Sequence, residues 1–250
     1  MNVPFIAGNW KMNGLRSDGL ALARDLADWL DTVRPAVQML ICPPATLLSD
    51  ITAMAGSGPL LIGAQDCHHR ASGAHTGDIC AAMLADAGAS HVILGHSERR
   101  SQGEDSTLVA AKATAALSAG LCPLICIGET LAEREAGLAG TIVARQLRDS
   151  LPPGQEPDSL IIAYEPVWAI GVNGIPATMD YANARHEKIA DIASSALGVK
   201  VPIVYGGSVN PGNCAELICQ PAIDDGVLVG GASLKAADFK AIARAGLGGA

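Results

Sequence analysis

Apolar residues fall in short runs that return roughly every 20–40 residues, each followed by a stretch with helical spacing. The runs occupy 5–8, 37–42, 60–64, 91–94, 122–127, 160–164, 201–205 and 227–230, which makes eight. The sixth reads LIIAY, with no polar position to alternate, so both of its faces must be buried, as in a parallel sheet. Between the first two runs, Leu20, Ala23, Leu26, Ala27 and Leu30 share one helical face. Stretches 104–119 and 177–197 read similarly, with charges opposite. Pro152-Pro153-Gly154 breaks the helix before the sixth run, and no stretch is linker-like enough to divide the chain, so residues 1–250 are expected to form one domain. Eight β-then-α units favour a closed parallel (β/α)8 barrel over a doubly wound sheet. Chemistry in such a barrel gathers at the C-terminal ends of the strands, which singles out polar residues directly after each apolar run.

Composition narrows the picture. With 49% hydrophobic and only 3% aromatic residues, the core must be built from Ala, Val, Ile and Leu. The net charge is −8 without any basic run, which argues against nucleic-acid binding. No window approaches about 18 uninterrupted apolar residues, so no membrane span is expected. The opening MNVPFIAGNWK lacks a basic segment followed by a long apolar one. Seven cysteines without a Cys-x-x-Cys spacing, several inside strand-like runs, read as reduced thiols and point to the cytoplasm. Cys214 and Cys219 read as core or helix residues. His68, His69 and His75 with Cys67 share a long loop but show no recognisable ligand spacing, so no metal is expected there.

The candidate chemistry sits where polar groups follow the runs. Glu165 ends the sixth, and Pro166 removes a backbone donor and stops the strand. The following Val167-Trp168-Ala169-Ile170, closed by Gly171, is greasy for a surface loop and reads as a lid, 166–176. Asn9 and Lys11 follow the first run two residues apart, so extended geometry would point them to the same side. His96 follows the fourth run at the start of a short helix-like segment, whose N-terminal dipole disfavours imidazolium. A neutral ring there could donate a hydrogen bond to a carbonyl oxygen and shuttle protons. Glu98 reads as orienting its neighbours. Glycine pairs at Gly206-Gly207 and Gly230-Gly231 let backbone N–H groups approach an anion at the seventh and eighth strand ends, and a short helix beginning at Ala232 adds its dipole. A base, an electrophile, a lysine and a phosphate cradle, with no redox cofactor, suit proton abstraction next to a carbonyl of a small sugar phosphate. The lid would exclude water from an enediolate that could otherwise expel phosphate.

These residues resemble the triosephosphate isomerase family over essentially the whole chain. The matching stretches, in order, are GNWKMNG, GAQDCHH…SGAHTGD, ILGHSERR, CIGETLAERE, YEPVWAIG, VYGGSVN and LVGGASL. The resemblance implies a TIM barrel that interconverts dihydroxyacetone phosphate and D-glyceraldehyde 3-phosphate without a cofactor. It implies that Glu165 moves protons between two carbons, His96 polarises the carbonyl, and Asn9 and Lys11 stabilise negative charge. Gly171, Ser208, Gly230 and Gly231 would hold the phosphate through backbone N–H groups, with Ser97, Glu98, Glu104 and Glu129 in support. Loop 65–78 would insert into a partner subunit, with Thr76 near the partner's site, and make a homodimer. The chain departs from the family pattern after Gly171, where Val172-Asn173-Gly174-Ile175-Pro176 replaces the usual Thr-Gly-Lys. The missing hydroxyl, a stiffening Pro176 and a loosening Gly174 predict slower or less complete closure. Ser101-Gln102-Gly103 stands where an aromatic residue is often found. Two other readings stay open at this stage: a related barrel acting on a larger sugar phosphate such as an aminoaldose, and a barrel that binds phosphorylated ligands without turnover.

Overall fold

A computed structural model describes residues 3–153, 160–171, 174–223 and 225–247. Eight strands form a closed parallel barrel: β1 (Phe5–Asn9), β2 (Gln38–Cys42), β3 (Leu60–Ala64), β4 (His91–Leu94), β5 (Cys122–Ile127), β6 (Ile161–Tyr164), β7 (Ile203–Tyr205) and β8 (Gly226–Val229). Each pairs with its neighbour in sequence, and β1 closes on β8 with Phe5 opposite Gly226. The eight expected runs are the eight strands, with ends shifted by a residue or two.

Alternation along the strands separates two cores. Phe5, Ala7, Leu40, Cys42, Ile93, Cys122, Leu124, Cys126, Ile161, Ala163, Val204 and Leu228 fill the barrel interior. The intervening residues, such as Ile6, Ile41, Ile125, Ile162 and Val227, pack outward against the helices. This two-residue period decides which residues reach the mouth. Asn9 continues the inward series of Phe5 and Ala7, and Glu165 continues that of Ile161 and Ala163.

The helices follow from their sequences. Arg16–Val33 buries Ala23, Leu26, Ala27 and Leu30 on one face, as the spacing predicts. Ser106–Ser118 starts where the Asp105 side chain accepts the Leu108 N–H at 2.8 Å. Met179–Leu197 begins at the Thr178 cap and ends at Gly198 in the left-handed conformation. The helix Ala139–Ser150 stops before Pro152, while Gly154 lies outside the described residues. Among the described residues, no helix is long and apolar enough to cross a membrane.

Candidate active site

A cavity of about 320 Å³ opens at the C-terminal end of the barrel. Asn9, Lys11, His96, Glu165, Gly171, Ser208, Gly230 and Gly231 all line it. Residues spread over more than 220 positions thus meet because parallel strands end on the same rim.

Glu165 is 3% exposed and His96 5%. The Glu165 side chain needs the room left by Gly206, because a Cβ there would come within 2.8 Å of its Cγ. One carboxylate oxygen, Oε2, accepts the Ser97 N–H at 3.2 Å, and Oε1 lies 3.1 Å from His96 Nε2. Burial alone would raise this carboxyl's pKa, but the His96 ring, the Ser97 N–H and Lys11 outweigh it and hold the value below the ordinary one.

His96 is off the inward series of β4. Gly95, at φ +66°, turns the chain at the strand end, and His96 becomes the N-cap of the short helix Ser97–Arg100. The Glu98 N–H donates to His96 Nδ1 at 3.2 Å. That leaves Nε2 as the protonated nitrogen of the neutral ring, aimed at Glu165. The expected depression of the His96 pKa is not met in this arrangement. Burial does disfavour the charged ring, but the Glu165 carboxylate against Nε2 shifts the net direction upward.

Lys11 also differs from expectation. The chain is not extended there: Lys11 adopts φ +52°, a left-handed conformation that costs a non-glycine residue about 1–3 kcal/mol. The Asn9 side chain supports that turn by accepting the Lys11 N–H at 3.0 Å. The Gln65 amide completes it by donating to the Lys11 carbonyl at 2.8 Å and to the Cys42 carbonyl at 2.9 Å. Sequence reading passed over Gln65, since an amide that binds backbone carbonyls leaves no local signature. Lys11 Nζ then reaches Glu98 Oε1 at 2.6 Å.

Two buried carboxylates brace this layer. Glu104 accepts the Gly95 N–H at 3.0 Å and pairs with Lys112 at 2.6 Å. Lys112 also binds Asp66, which holds Arg99 at 2.7 Å. Glu129 accepts from Trp168 Nε1 at 2.9 Å, Tyr181 OH at 2.8 Å and Tyr164 OH at 3.1 Å. Trp168 is further covered by the Arg134 guanidinium, 3.8 Å from the ring centre. Arg100, likewise missed from sequence, donates to the carbonyls of Gly95 (2.8 Å) and Cys126 (3.0 Å) and to the hydroxyls of Ser106 and Ser150, both at 3.0 Å.

The segment expected to act as a lid begins with the 3-10 turn Val167–Ala169. Ser208 N–H donates to the Ala169 carbonyl at 3.0 Å, so this donor is engaged by that segment rather than free in the cavity. Gly174 does not simply loosen the exit. Its N–H donates to the Gly171 carbonyl at 3.1 Å, and a Cβ would meet the backbone of Ala169 and Ile170 within 2.8 Å. Glycine is needed there for close approach. Val172 and Asn173, the core of the departure from the family pattern, lie outside the described residues. After β8 the turn is a 3-10 helix, Gly231–Leu234, rather than one starting at Ala232.

The family model described as triosephosphate isomerase matches residues 4–246. A triosephosphate isomerase of Xanthobacter flavus is 52% identical over 246 residues, spanning 97% of both chains. One from Caulobacter vibrioides is also 52% identical, over 97% of this chain and 96% of its own. The crystal structure of the Bartonella henselae enzyme superposes with a TM-score of 0.89 at 45% identity, covering 97% of this chain and 98% of that one. The closed barrel, the polar groups on its rim and agreement along nearly the whole length lead to one assignment: this chain belongs to the triosephosphate isomerase family.

Proposed function

We propose that this protein interconverts dihydroxyacetone phosphate and D-glyceraldehyde 3-phosphate by proton transfer through an enediolate, with Glu165 as the base. The observation that carries the mechanism is the facing of Glu165 and His96 Nε2 at 3.1 Å across the cavity, with His96 Nδ1 held as an acceptor by the Glu98 N–H. Substrate enters between the two groups. Glu165 leaves the Ser97 N–H and removes a proton from the carbon next to the carbonyl, while His96 Nε2–H donates to the carbonyl oxygen. Moving the carboxylate onto the substrate also removes what raises the His96 pKa, so the ring acts as a neutral donor. His96 gives its proton to that oxygen and recovers one from the neighbouring hydroxyl. Protonated Glu165 then delivers its proton to the other carbon, and both groups return to their starting states. Lys11 offsets the negative charge that develops on the oxygens, and Asn9 holds Lys11 in its turn.

The phosphate is assigned to the N–H groups of Gly171, Gly230 and Gly231 and to Ser208. Because Ser208 N–H is bonded to Ala169, phosphate binding and lid movement are linked: a lid shift that breaks this bond releases the donor. Lid closure during turnover is a property for which triosephosphate isomerases are a standing example. Glu165→Asp withdraws the base by one methylene, and a misplacement near 1 Å costs on the order of a hundredfold in rate. Steady-state assays in both directions should show such a loss in kcat with the fold retained; near-wild-type turnover would sink the assigned role. A homodimer formed through loop 65–78, with Thr76 exposed near the tip, belongs to the same reading. It is supported by Met12, 96% exposed on the loop after β1, beside a groove that this loop helps to line.

A further inference from the structure

The loop between β3 and the helix Ala81–Asp86 carries side chains that isomerisation leaves unused. His68, His75 and Asp78 have no recognisable ligand spacing in sequence, but the backbone closes the distance. His68 N–H donates to the Ile79 carbonyl at 2.8 Å, and His68 pairs with Cys80 in an isolated parallel bridge, so the loop's two ends are clamped side by side. Asp78 N–H then donates to the His75 carbonyl at 3.0 Å, turning the far arm back. One ligand-capable atom from each of the three residues lies within 4.8 Å of the others. The His68 and His75 ring centres are 4.0 Å apart, and His68 Nε2 is 3.7 Å from Asp78 Oδ2.

We propose that His68, His75 and Asp78 bind a divalent transition-metal ion, with zinc as the best match. Two imidazoles and one carboxylate are a donor set for zinc rather than for magnesium or calcium, which favour oxygen alone. Zinc–nitrogen bonds of about 2.0–2.1 Å place tetrahedral ligand atoms roughly 3.4 Å apart. The His68–Asp78 pair is already near that spacing, and the remaining gaps close by side-chain rotations of about 1 Å, with water in the fourth position. Asp66 is not a competing ligand, because Arg99 and Lys112 hold its carboxylate.

His69 packs on this pair, its ring centre 4.3 Å from that of His68. Binding a metal through Nε2 asks His68 for a lone pair at that nitrogen. One bond must open. The Arg70 N–H donates to His68 Nδ1 at 3.1 Å, which leaves the proton of the free ring on Nε2. A metal on Nε2 sends that proton to Nδ1, the ring stays neutral, and the Arg70 contact breaks.

The test uses tag-free full-length protein in a Cys219→Ser background, because Cys219 is the exposed thiol among the described residues. Zinc chloride is titrated calorimetrically, and cobalt(II) is followed by its visible absorption. The expected result is one zinc per chain, weakened at least about tenfold by His75→Gln and by Asp78→Asn, with loss of the tetrahedral cobalt band in both. No zinc bound to the parent protein, or undiminished binding in either variant, overturns the site. Because the parent titration is decisive alone, a variant that misfolds cannot rescue the proposal. Turnover is not the readout, so failure here leaves the isomerase reading untouched.

Discussion

At the scale of single residues, the site is governed by which lone pairs and protons are already taken. The Glu165–His96 pair has a lowered carboxyl pKa and a raised imidazole pKa, so it favours folding in the window between them. The histidine's share is complete below its ordinary value of 6.5 and is lost as pH rises through the raised folded value. The glutamate's share is present above its ordinary 4.5 and is lost as pH falls through the lowered folded value. Urea unfolding of His96→Gln and the parent between pH 5 and 9 should therefore show a smaller stability loss on the alkaline side in the variant; parallel curves would contradict the pairing. Lys112 supplies a second residue-level prediction. Replacing it by Met leaves Glu104 buried beside the Gly95 N–H with only the longer Arg99 Nε contact at 3.4 Å, and breaking a buried pair costs up to about 3–5 kcal/mol. An unchanged denaturation midpoint would show that the network is not holding the strand end. The identities of Glu165, His96 and Lys11 were legible in sequence because each lies within three residues of the end of an apolar run. Their orientations and proton positions were not, since these depend on the Glu98 N–H folding back on His96, the Ser97 N–H reaching Glu165 and the Gln65 amide holding the Lys11 backbone.

At the scale of elements, the segment after β6 that is proposed as the lid is anchored through one buried carboxylate shared by three donors. Trp168, Tyr164 and Tyr181 come from the lid, from β6 and from the helix Met179–Leu197, and all meet Glu129 at the end of β5. Trp168→Phe keeps the ring against Arg134 but removes one hydrogen bond to the charged group, a loss of about 1.5–3 kcal/mol of anchoring. In the proposed mechanism a looser lid admits water to the enediolate, so the variant should release more methylglyoxal per turnover and show a lower kcat. Product analysis that finds neither change would remove Trp168 from the lid's anchorage. Periodicity alone identified the strands and helices, because burial on one or two faces leaves a local imprint. The expectation that Gly174 loosens the chain missed its need for close approach, which is set by the backbone of Ala169 and Ile170 packed against it.

At the scale of the whole molecule, a closed barrel brings residues from opposite ends of the chain to one rim and leaves loop 65–78 projecting beside it. If that loop builds a homodimer, sedimentation should report twice the 25.5 kDa of the chain. Thr76→Arg at the exposed tip should shift the protein to monomer and lower its turnover by at least about tenfold, since misplacement of catalytic groups is costly. A variant that stays dimeric and fully active would exclude this contact. By itself the sequence determined the eight-stranded parallel barrel and the chemical inventory of its strand ends. Both are written locally, in runs of apolar residues and in the polar groups that end them. Only the tertiary structure decided that His96 presents Nε2 to Glu165, that Lys11 turns back on Asn9 and Gln65, that the Ala169 carbonyl engages Ser208, and that His68, His75 and Asp78 meet. Each of these depends on distances and hydrogen-bond partners between segments remote in sequence or folded back on themselves, which no local pattern encodes.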